Sequence, residues 1–226
     1  MIEKYLNNRF FILYLIPFVL GSSTVFSYQP FNLTLINFFI LPIFFYLIVY
    51  IKKKSKNTYR TKPYKKNLFI FGLAFGFGYY LFGIYWITHS LTFDESFKIL
   101  IPFGLILIPL FLSLFFSLVT LIVGPFLNLN IISIFFLSGS LAFSDYLRAK
   151  VLTGFPWNLW AYSFSWATEI IQILNLIGLF AFNLISITIF MFPAVFFFNI
   201  KLSKKFLSLI LLFFLLFFSY IYGNHS

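Results

Sequence analysis

Long apolar runs, separated by short polar or charged stretches, are the main pattern along this chain. The runs do not alternate between apolar and polar positions, as the strands of a membrane barrel do. A helix of about 20 apolar residues crosses the roughly 30 Å hydrocarbon core of a bilayer. The pattern therefore predicts an all-α, polytopic transmembrane helical bundle, with residues 1–226 forming a single membrane domain of about seven spans. The predicted spans are 10–28, 32–51, 67–88, 99–123, 127–144, 169–198 and 206–222.

Three of the runs depart from a plain span. The first begins after two bases, as a signal peptide does, but it reaches Tyr28 without a small-residue cleavage site, so we expect an uncleaved helix bent at Pro17. The uncharged stretch 99–144 is too long for one crossing and divides at the sequence GPFLNLN. The sixth run is longer than one crossing needs, so we expect it to be tilted or broken near Pro193.

Composition agrees with a membrane protein, since 62% of the residues are hydrophobic and only 9% are charged. The net charge of +11 would be compatible with nucleic-acid binding. Eight of the sixteen bases, however, lie together in the sequence KKKSKNTYRTKPYKK, residues 52–66, between two predicted spans. A basic loop next to spans is typical of the cytoplasmic side of a membrane. We therefore expect no nucleic-acid partner.

The distribution of bases also predicts the orientation. With seven spans, Lys4, Arg9, the 52–66 loop and the bases near Lys205 all fall on one side, which by the positive-inside rule is the cytoplasm. We expect a multi-pass protein of the bacterial cytoplasmic membrane, with its N-terminus inside and its C-terminus outside. The chain has no inverted repeat and few charges inside its spans, which argues against a small transporter.

The third span has small residues at Gly72, Gly76 and Gly83 on one helical face. Such a face usually packs closely against another helix, and we favour that interpretation. Trp86 and His89 fall at the outer end of this span and are candidates for contact with substrate. A tryptophan at that depth is more often an interfacial anchor, and a lone histidine is more often a solvated loop residue. A second polar set follows one arc of the sixth span and predicts hydrogen bonds between helices. It comprises Glu169, Gln172, Asn175, Asn183 and Ser186.

The segment from 145 to 168 interrupts the apolar pattern most strongly. Asp145 and Arg148 are spaced to pair on one helical turn, and Gly154 and Pro156 then break the helix. Irregular backbone at membrane depth needs protein or a cavity around it. Two interpretations stay open: aromatic anchoring at the headgroups, or a lipid-facing site with bases for phosphate and aromatics for acyl chains. The lipid-binding candidates in this segment are Arg148, Lys150, Phe155, Trp157 and Tyr162.

The sequence DYLRAKVLTGFPWNLWAYS, which contains this segment, resembles the signature of the apolipoprotein N-acyltransferases. GFGYYLFGIYWITHSL, FSYQPFN and GLFAFNLISI resemble the third span, the turn after the first span and the sixth span of that family. Asp145 stands where the family usually has Glu, and Ala149 and Ala161 stand where Gly is usual. The resemblance implies the membrane half of an enzyme that transfers an acyl chain from a phospholipid to the α-amino group of a diacylglyceryl-modified lipoprotein.

The catalytic part of that family is not found in these residues. The resemblance places a catalytic Glu, Lys and Cys in a nitrilase-like domain that follows the seventh span, and this chain has no cysteine. Without cysteine it also has no disulfide and no thiolate metal site, and we expect no cofactor. We therefore expect no catalytic residue in this chain, no acyl transfer by it alone, and a truncated frame or a split enzyme with a separately encoded nitrilase-like partner. The alternative is a non-enzymatic membrane protein that binds lipid or a partner.

Overall fold

The structure, a computed structural model, describes residues 8–58, 64–151 and 154–199, together with 202, 205, 206, 210, 214, 217, 220, 221 and 223. Within these residues the regular structure is helical and no strand is present, which confirms the predicted all-α class. Short 3₁₀ and π turns extend or connect the helices. The α-helices are α1 (Ile16–Ser23), α2 (Asn37–Thr58), α3 (Tyr64–Ile84), α4 (Ile101–Val123), α5 (Ile131–Arg148), α6 (Thr168–Ile171), α7 (Leu174–Ile177) and α8 (Leu179–Met191).

Five helical stretches among the described residues are long and apolar enough to cross a membrane. Two shorter apolar stretches, Phe11–Ser27 and Thr168–Ile177, accompany them. Most of the predicted seventh span, 206–222, lies outside the described residues. The protein is therefore polytopic, and the number of seven spans stays a prediction. The five long stretches are Thr34–Lys54, Tyr64–Thr92, Glu95–Phe126, Ile131–Arg148 and Leu179–Phe197.

The sixth predicted span, 169–198, is not one continuous helix. It is divided at Gly178, whose φ of 80° lies in the left-handed region that no helix interior uses. The prediction of a single polar arc from Glu169 to Ser186 is therefore wrong, because a helical wheel does not continue across such a residue. Beyond α8 the chain tightens into a 3₁₀ turn at Phe192–Phe197, where Pro193 removes a helical N–H donor.

The fifth predicted span is shifted along the chain relative to the prediction of 127–144. Helix α5 begins after Asn130, whose side chain accepts a hydrogen bond from the Ser133 N–H at 2.8 Å. The Ser133 hydroxyl in turn accepts from the Asn128 N–H at 2.9 Å. The first of these bonds satisfies a donor that a helix start leaves open, and the second ties the preceding chain to the first turn, so the helix begins here rather than at the first apolar residue. At its other end α5 continues to Arg148, so the irregular segment is shorter than predicted.

The described chain forms two compact units. Unit 1 comprises 1–25 and 50–125, and unit 2 comprises 26–49 and 126–226. The chain passes from one unit to the other after Val25, after Val49, within α2, and after Pro125.

In unit 1, α3 packs against both α1 and α4. Its glycines at 72 and 76 face α4, and a Cβ at Gly76 would lie 2.9 Å from the Ser113 Cα. The Thr120 hydroxyl of α4 donates to the Leu68 carbonyl of α3 at 2.8 Å. The predicted packing role of the Gly72 and Gly76 face is therefore confirmed, since small residues allow this approach of the two backbones.

In unit 2, α5 packs against α8. The Thr188 hydroxyl donates to the Ser138 hydroxyl at 2.9 Å, which is one of the polar contacts that join the two helices. The ring of Phe190 stacks on Phe164 with centroids 5.2 Å apart. The Phe38 ring of α2 meets the same Phe190 ring edge-on at 5.1 Å. These contacts hold the irregular segment against the helices of its own unit.

Candidate lipid-facing site

The site is organised around an ion pair at the end of α5. Arg148 Nη2 lies 3.0 Å from Asp145 Oδ1, across one helical turn. Arg148 is only 2% exposed and Asp145 6%, so both charges are removed from solvent. A buried charge is stable only when it is paired and hydrogen-bonded. The surroundings of this pair therefore decide what the Arg148 guanidinium can do.

The Arg148 guanidinium also binds the backbone of the segment that follows. Its Nη1 donates to the Phe155 carbonyl at 2.5 Å and to the Trp157 carbonyl at 2.8 Å. Carbonyls two residues apart point to the same side of an extended chain, as expected on either side of Pro156. The guanidinium thus provides donors for carbonyls that no regular secondary structure satisfies. The positive charge of Arg148 is directed at the protein rather than at an external phosphate.

Gly154 allows the chain to turn back onto the end of α5. Its φ is 77°, in the left-handed region that side chains other than Gly rarely adopt. A Cβ at this position would lie 2.6 Å from the Ala149 carbonyl oxygen. The Phe155 N–H then donates to the Arg148 carbonyl at 3.1 Å, which closes the helix end. Glycine is therefore needed here both for the conformation and for the space.

Asn183 of α8 connects the ion pair to the rest of unit 2. Its Nδ2 donates to Asp145 Oδ2 at 2.9 Å, and its Oδ1 accepts from the Ala161 N–H at 3.1 Å. Asn183 is fully buried, and both ends of its amide are used. The interpretation of this residue as a hydrogen-bonding group between helices is confirmed. One network thus joins α5, α8 and the 3₁₀ turn Trp160–Phe164.

Thr34, which precedes α2, binds the C-terminal part of the segment. It was not among the candidates identified from the sequence. Its hydroxyl donates to the Ser163 carbonyl at 2.6 Å and accepts from Trp166 Nε1 at 2.7 Å. These partners are 129 and 132 positions away along the chain, so no local pattern marks them. The position of Thr34 beside the FSYQPFN turn is the only signal in the sequence that could have drawn attention to it.

The remaining candidates of this segment are partly or largely exposed at the protein surface. Trp157 is 51% exposed, while Phe155 and Tyr162 are half-buried. Lys150 is exposed, and its Nζ lies 5.9 Å from the centre of the Tyr146 ring. We call these four residues, Lys150, Phe155, Trp157 and Tyr162, the aromatic surface. It combines apolar area with one exposed cation, which is a combination suited to a lipid.

The pKa of the Tyr162 phenol depends on its partial burial and on its distance from Arg148. Its partial burial raises the pKa of the phenol above the ordinary value, and the nearby Arg148 guanidinium lowers it by a smaller amount. The phenol is therefore neutral at physiological pH and can donate a hydrogen bond.

Trp86 and His89 belong to unit 1. They lie in the 3₁₀ turn Tyr85–Thr92, where Trp86 Nε1 donates to the Gly83 carbonyl at 3.2 Å. Both side chains are exposed. Among the described residues, no group of three potential metal ligands is present. Trp86 and His89 thus belong to a different unit from the aromatic surface.

Comparisons with known proteins cover most of the chain. A sequence model described as the apolipoprotein N-acyltransferase N-terminal domain matches residues 20–192, which include all of the site described above. The apolipoprotein N-acyltransferase of Rhodopseudomonas palustris is 32% identical over 80% of this chain, and that of Bradyrhizobium diazoefficiens is 31% identical over 80%. The Rickettsia typhi protein of the same name is 31% identical over 77%.

The alignments cover 33% of the length of each of these three relatives, so the chain spans about a third of the proteins it matches. Within that third, the matched residues contain the ion pair, the Gly154 turn and Asn183. The sequence signature, the helical fold and the comparisons agree, and the chain belongs to the apolipoprotein N-acyltransferase family, to whose N-terminal domain it corresponds.

Proposed function

We propose that this chain acts in bacterial lipoprotein biosynthesis as the membrane domain of a lipoprotein N-acyltransferase. In the proposed reaction, a phospholipid acyl chain is transferred to the α-amino group of a diacylglyceryl-modified lipoprotein. The domain would hold one or both of these lipids at the outer surface of the cytoplasmic membrane. The family membership of residues 20–192 and the similarity to apolipoprotein N-acyltransferases of other bacteria support this function.

The main support for the proposal is that the charged and the aromatic residues of the site have different roles. The charged residues Asp145 and Arg148 are buried and act on the protein itself, through the Phe155 and Trp157 carbonyls. On the same backbone, Trp157 is 51% exposed, and Phe155 and Tyr162 are half-buried. A rigid backbone presenting a large exposed aromatic loses little conformational entropy when a lipid binds. This arrangement favours a binding surface over a flexible headgroup anchor.

The covalent chemistry requires groups that this chain does not supply. Acyl transfer through a thioester needs a thiolate and a base that activates it, and the 226 residues contain no cysteine. We propose that a nitrilase-like domain contributes these groups, on the same polypeptide or as a separate chain. In this scheme the aromatic surface positions acyl chains beside that domain.

A Trp157→Ala substitution tests the lipid-binding role of the aromatic surface. Burying an aromatic side chain against an acyl chain is worth roughly 1.5–3 kcal/mol, and tenfold in affinity corresponds to about 1.4 kcal/mol. We expect the substitution to weaken binding of a photoreactive phospholipid by about tenfold or more. Crosslinking to the purified chain, with mapping of labelled peptides from 148–162, measures the effect.

Phe143→Ala provides the matched control, because Phe143 is 61% exposed on α5 but outside the aromatic surface. It should leave labelling of the 148–162 peptides unchanged. If Trp157→Ala keeps its folded stability and its full labelling, Trp157 is only an interfacial anchor and the lipid-binding role is lost. Lipid binding without any activity gain from a nitrilase-like partner would instead favour the non-enzymatic alternative.

The orientation proposed for this function places the N-terminus in the cytoplasm and both the aromatic surface and residue 226 outside. Bases in the 52–66 loop support this orientation. Single cysteines introduced at Ser55, Ser96 and Ser226 should react with an impermeant thiol reagent in intact cells only at positions 96 and 226. Because the natural chain has no cysteine, background labelling is low. Labelling at position 55, or none at 226, would overturn the orientation.

A further inference from the structure

Unit 1 contains an open groove that is separate from the aromatic surface. The groove runs along α3 and has a volume of about 430 Å³. One wall comes from the first helical stretch, through Phe10, Tyr14 and Phe18, and the floor comes from α3. Ile106 and Leu110 of α4 form the other wall.

The floor residues follow a single helical stripe. Ile70, Ala74 and Phe77 are spaced by four and three positions, so their side chains lie along one face of α3. On the facing wall, Phe10, Tyr14 and Phe18 are spaced by four, and the Phe10 and Tyr14 rings stack at 5.8 Å. Two parallel apolar stripes of this kind form a slot that runs along the helix axis rather than a rounded pocket.

Both stripes end in a positive charge at the same end of the groove. Lys66 and Asn67 precede Ile70 by four and three positions and therefore continue the α3 stripe by one turn. Arg9 precedes Phe10, and its Nη2 donates to Asn67 Oδ1 at 3.1 Å. The Arg9 and Lys66 side chains are exposed. Among the described residues of the first helical stretch and of α3, none is acidic, so no carboxylate of these two elements balances the cations.

We propose that this groove is a binding site for one anionic glycerophospholipid, with an acyl chain in the slot and the phosphate group at Arg9 and Lys66. An extended acyl chain matches both the apolar lining and the linear shape. The two cations distinguish a net-negative headgroup from a zwitterionic one. This site is independent of the function proposed for the aromatic surface.

The test uses phosphatidylglycerol and phosphatidylethanolamine that carry the same photoreactive acyl chain. The full-length chain is purified in detergent, incubated with each lipid, irradiated and digested. We expect peptides covering 10–18 and 70–77 to be labelled about fivefold more by phosphatidylglycerol for each cation that contributes. Lys66→Gln should reduce that preference by about fivefold. Lys65→Gln, which removes the same charge from the neighbouring exposed position, should leave most of the preference in place.

A second pair of variants tests the slot itself. Ala74→Trp fills the floor and should abolish labelling of the groove peptides by both lipids. Leu118→Trp adds an aromatic at an exposed position of α4 outside the groove and should have no effect. Equal labelling of the wild-type groove by the two lipids would mean ordinary bulk-lipid contact and would overturn the proposal. Unchanged labelling in a folded Ala74→Trp variant would overturn it as well.

Discussion

Replacing Arg148 with methionine is expected to destabilise the protein by about 3–5 kcal/mol, the usual cost of removing one partner from a buried ion pair. The change leaves the Asp145 carboxylate buried with only Asn183 as a polar partner among those described above. It also removes the donors for the Phe155 and Trp157 carbonyls. Methionine retains much of the side-chain volume, so the loss reports the charge and the hydrogen bonds rather than a large cavity.

The measurement is the fraction of monodisperse protein that remains after heating in detergent, or unfolding in a denaturing detergent. Lys150→Met is the matched control, since Lys150 carries the same charge two positions later but is exposed, and it should change stability by less than about 0.5 kcal/mol. The stability of Arg148→Lys should lie between those of Arg148→Met and Lys150→Met. Lysine keeps the charge, but its ammonium group cannot form the same set of hydrogen bonds as a guanidinium.

A double variant separates the charge from the hydrogen bonds. Adding Asp145→Asn to Arg148→Met removes the unpaired buried carboxylate while keeping an oxygen that can accept from Asn183. We expect it to recover part of the lost stability relative to Arg148→Met alone. Equal stability of Arg148→Met and wild type would show that the ion pair does not hold the 154–157 backbone in place.

The second large effect is expected in unit 1, at the contact between α1 and α3. A Cβ at Gly78 would collide with the Phe18 carbonyl and lie 2.8 Å from the Ser22 hydroxyl. A Cβ at Gly21 would collide in the same way with the Phe75 carbonyl. The two glycines thus allow the backbones of the helices to touch. Gly78→Leu should therefore destabilise unit 1 by about 3 kcal/mol or more, which is the upper end of the usual cost of overpacking. The cost is high because backbone atoms cannot move aside as side chains do.

Gly139→Leu is the control for this substitution. Gly139 lies within α5, another membrane helix, but an added Cβ there has no neighbour within 4 Å. Its replacement should be tolerated or slightly stabilising, since a glycine inside a helix is unfavourable. Thermal unfolding in the same detergent compares the two variants. Similar losses for both would mean that leucine disturbs insertion in general and that the close contact has no special role.

The sequence by itself determined the features that depend on neighbouring residues. Apolar length predicted the all-α polytopic class, because the free energy of placing a helix in lipid adds up along a run. Glycine spacing predicted the close face of α3 at Gly72 and Gly76, since side chains three and four positions apart share a face. Gly154 and Pro156 marked the break after α5 for reasons of backbone geometry.

Only the tertiary structure decided which groups face each other across the fold. The sequence predicted that Arg148 pairs with Asp145 and left a lipid phosphate open as a second partner, and the structure confirms the pair and adds two backbone carbonyls of the same unit as acceptors. Asn183 reaches Asp145 across 38 positions, and Thr34 reaches Ser163 across 129. Such pairs depend on which helices pack together, and no local period encodes that choice. Burial then decides the role of each charge, because a buried cation whose acceptors are protein groups stabilises the backbone, while an exposed cation can still contact a ligand.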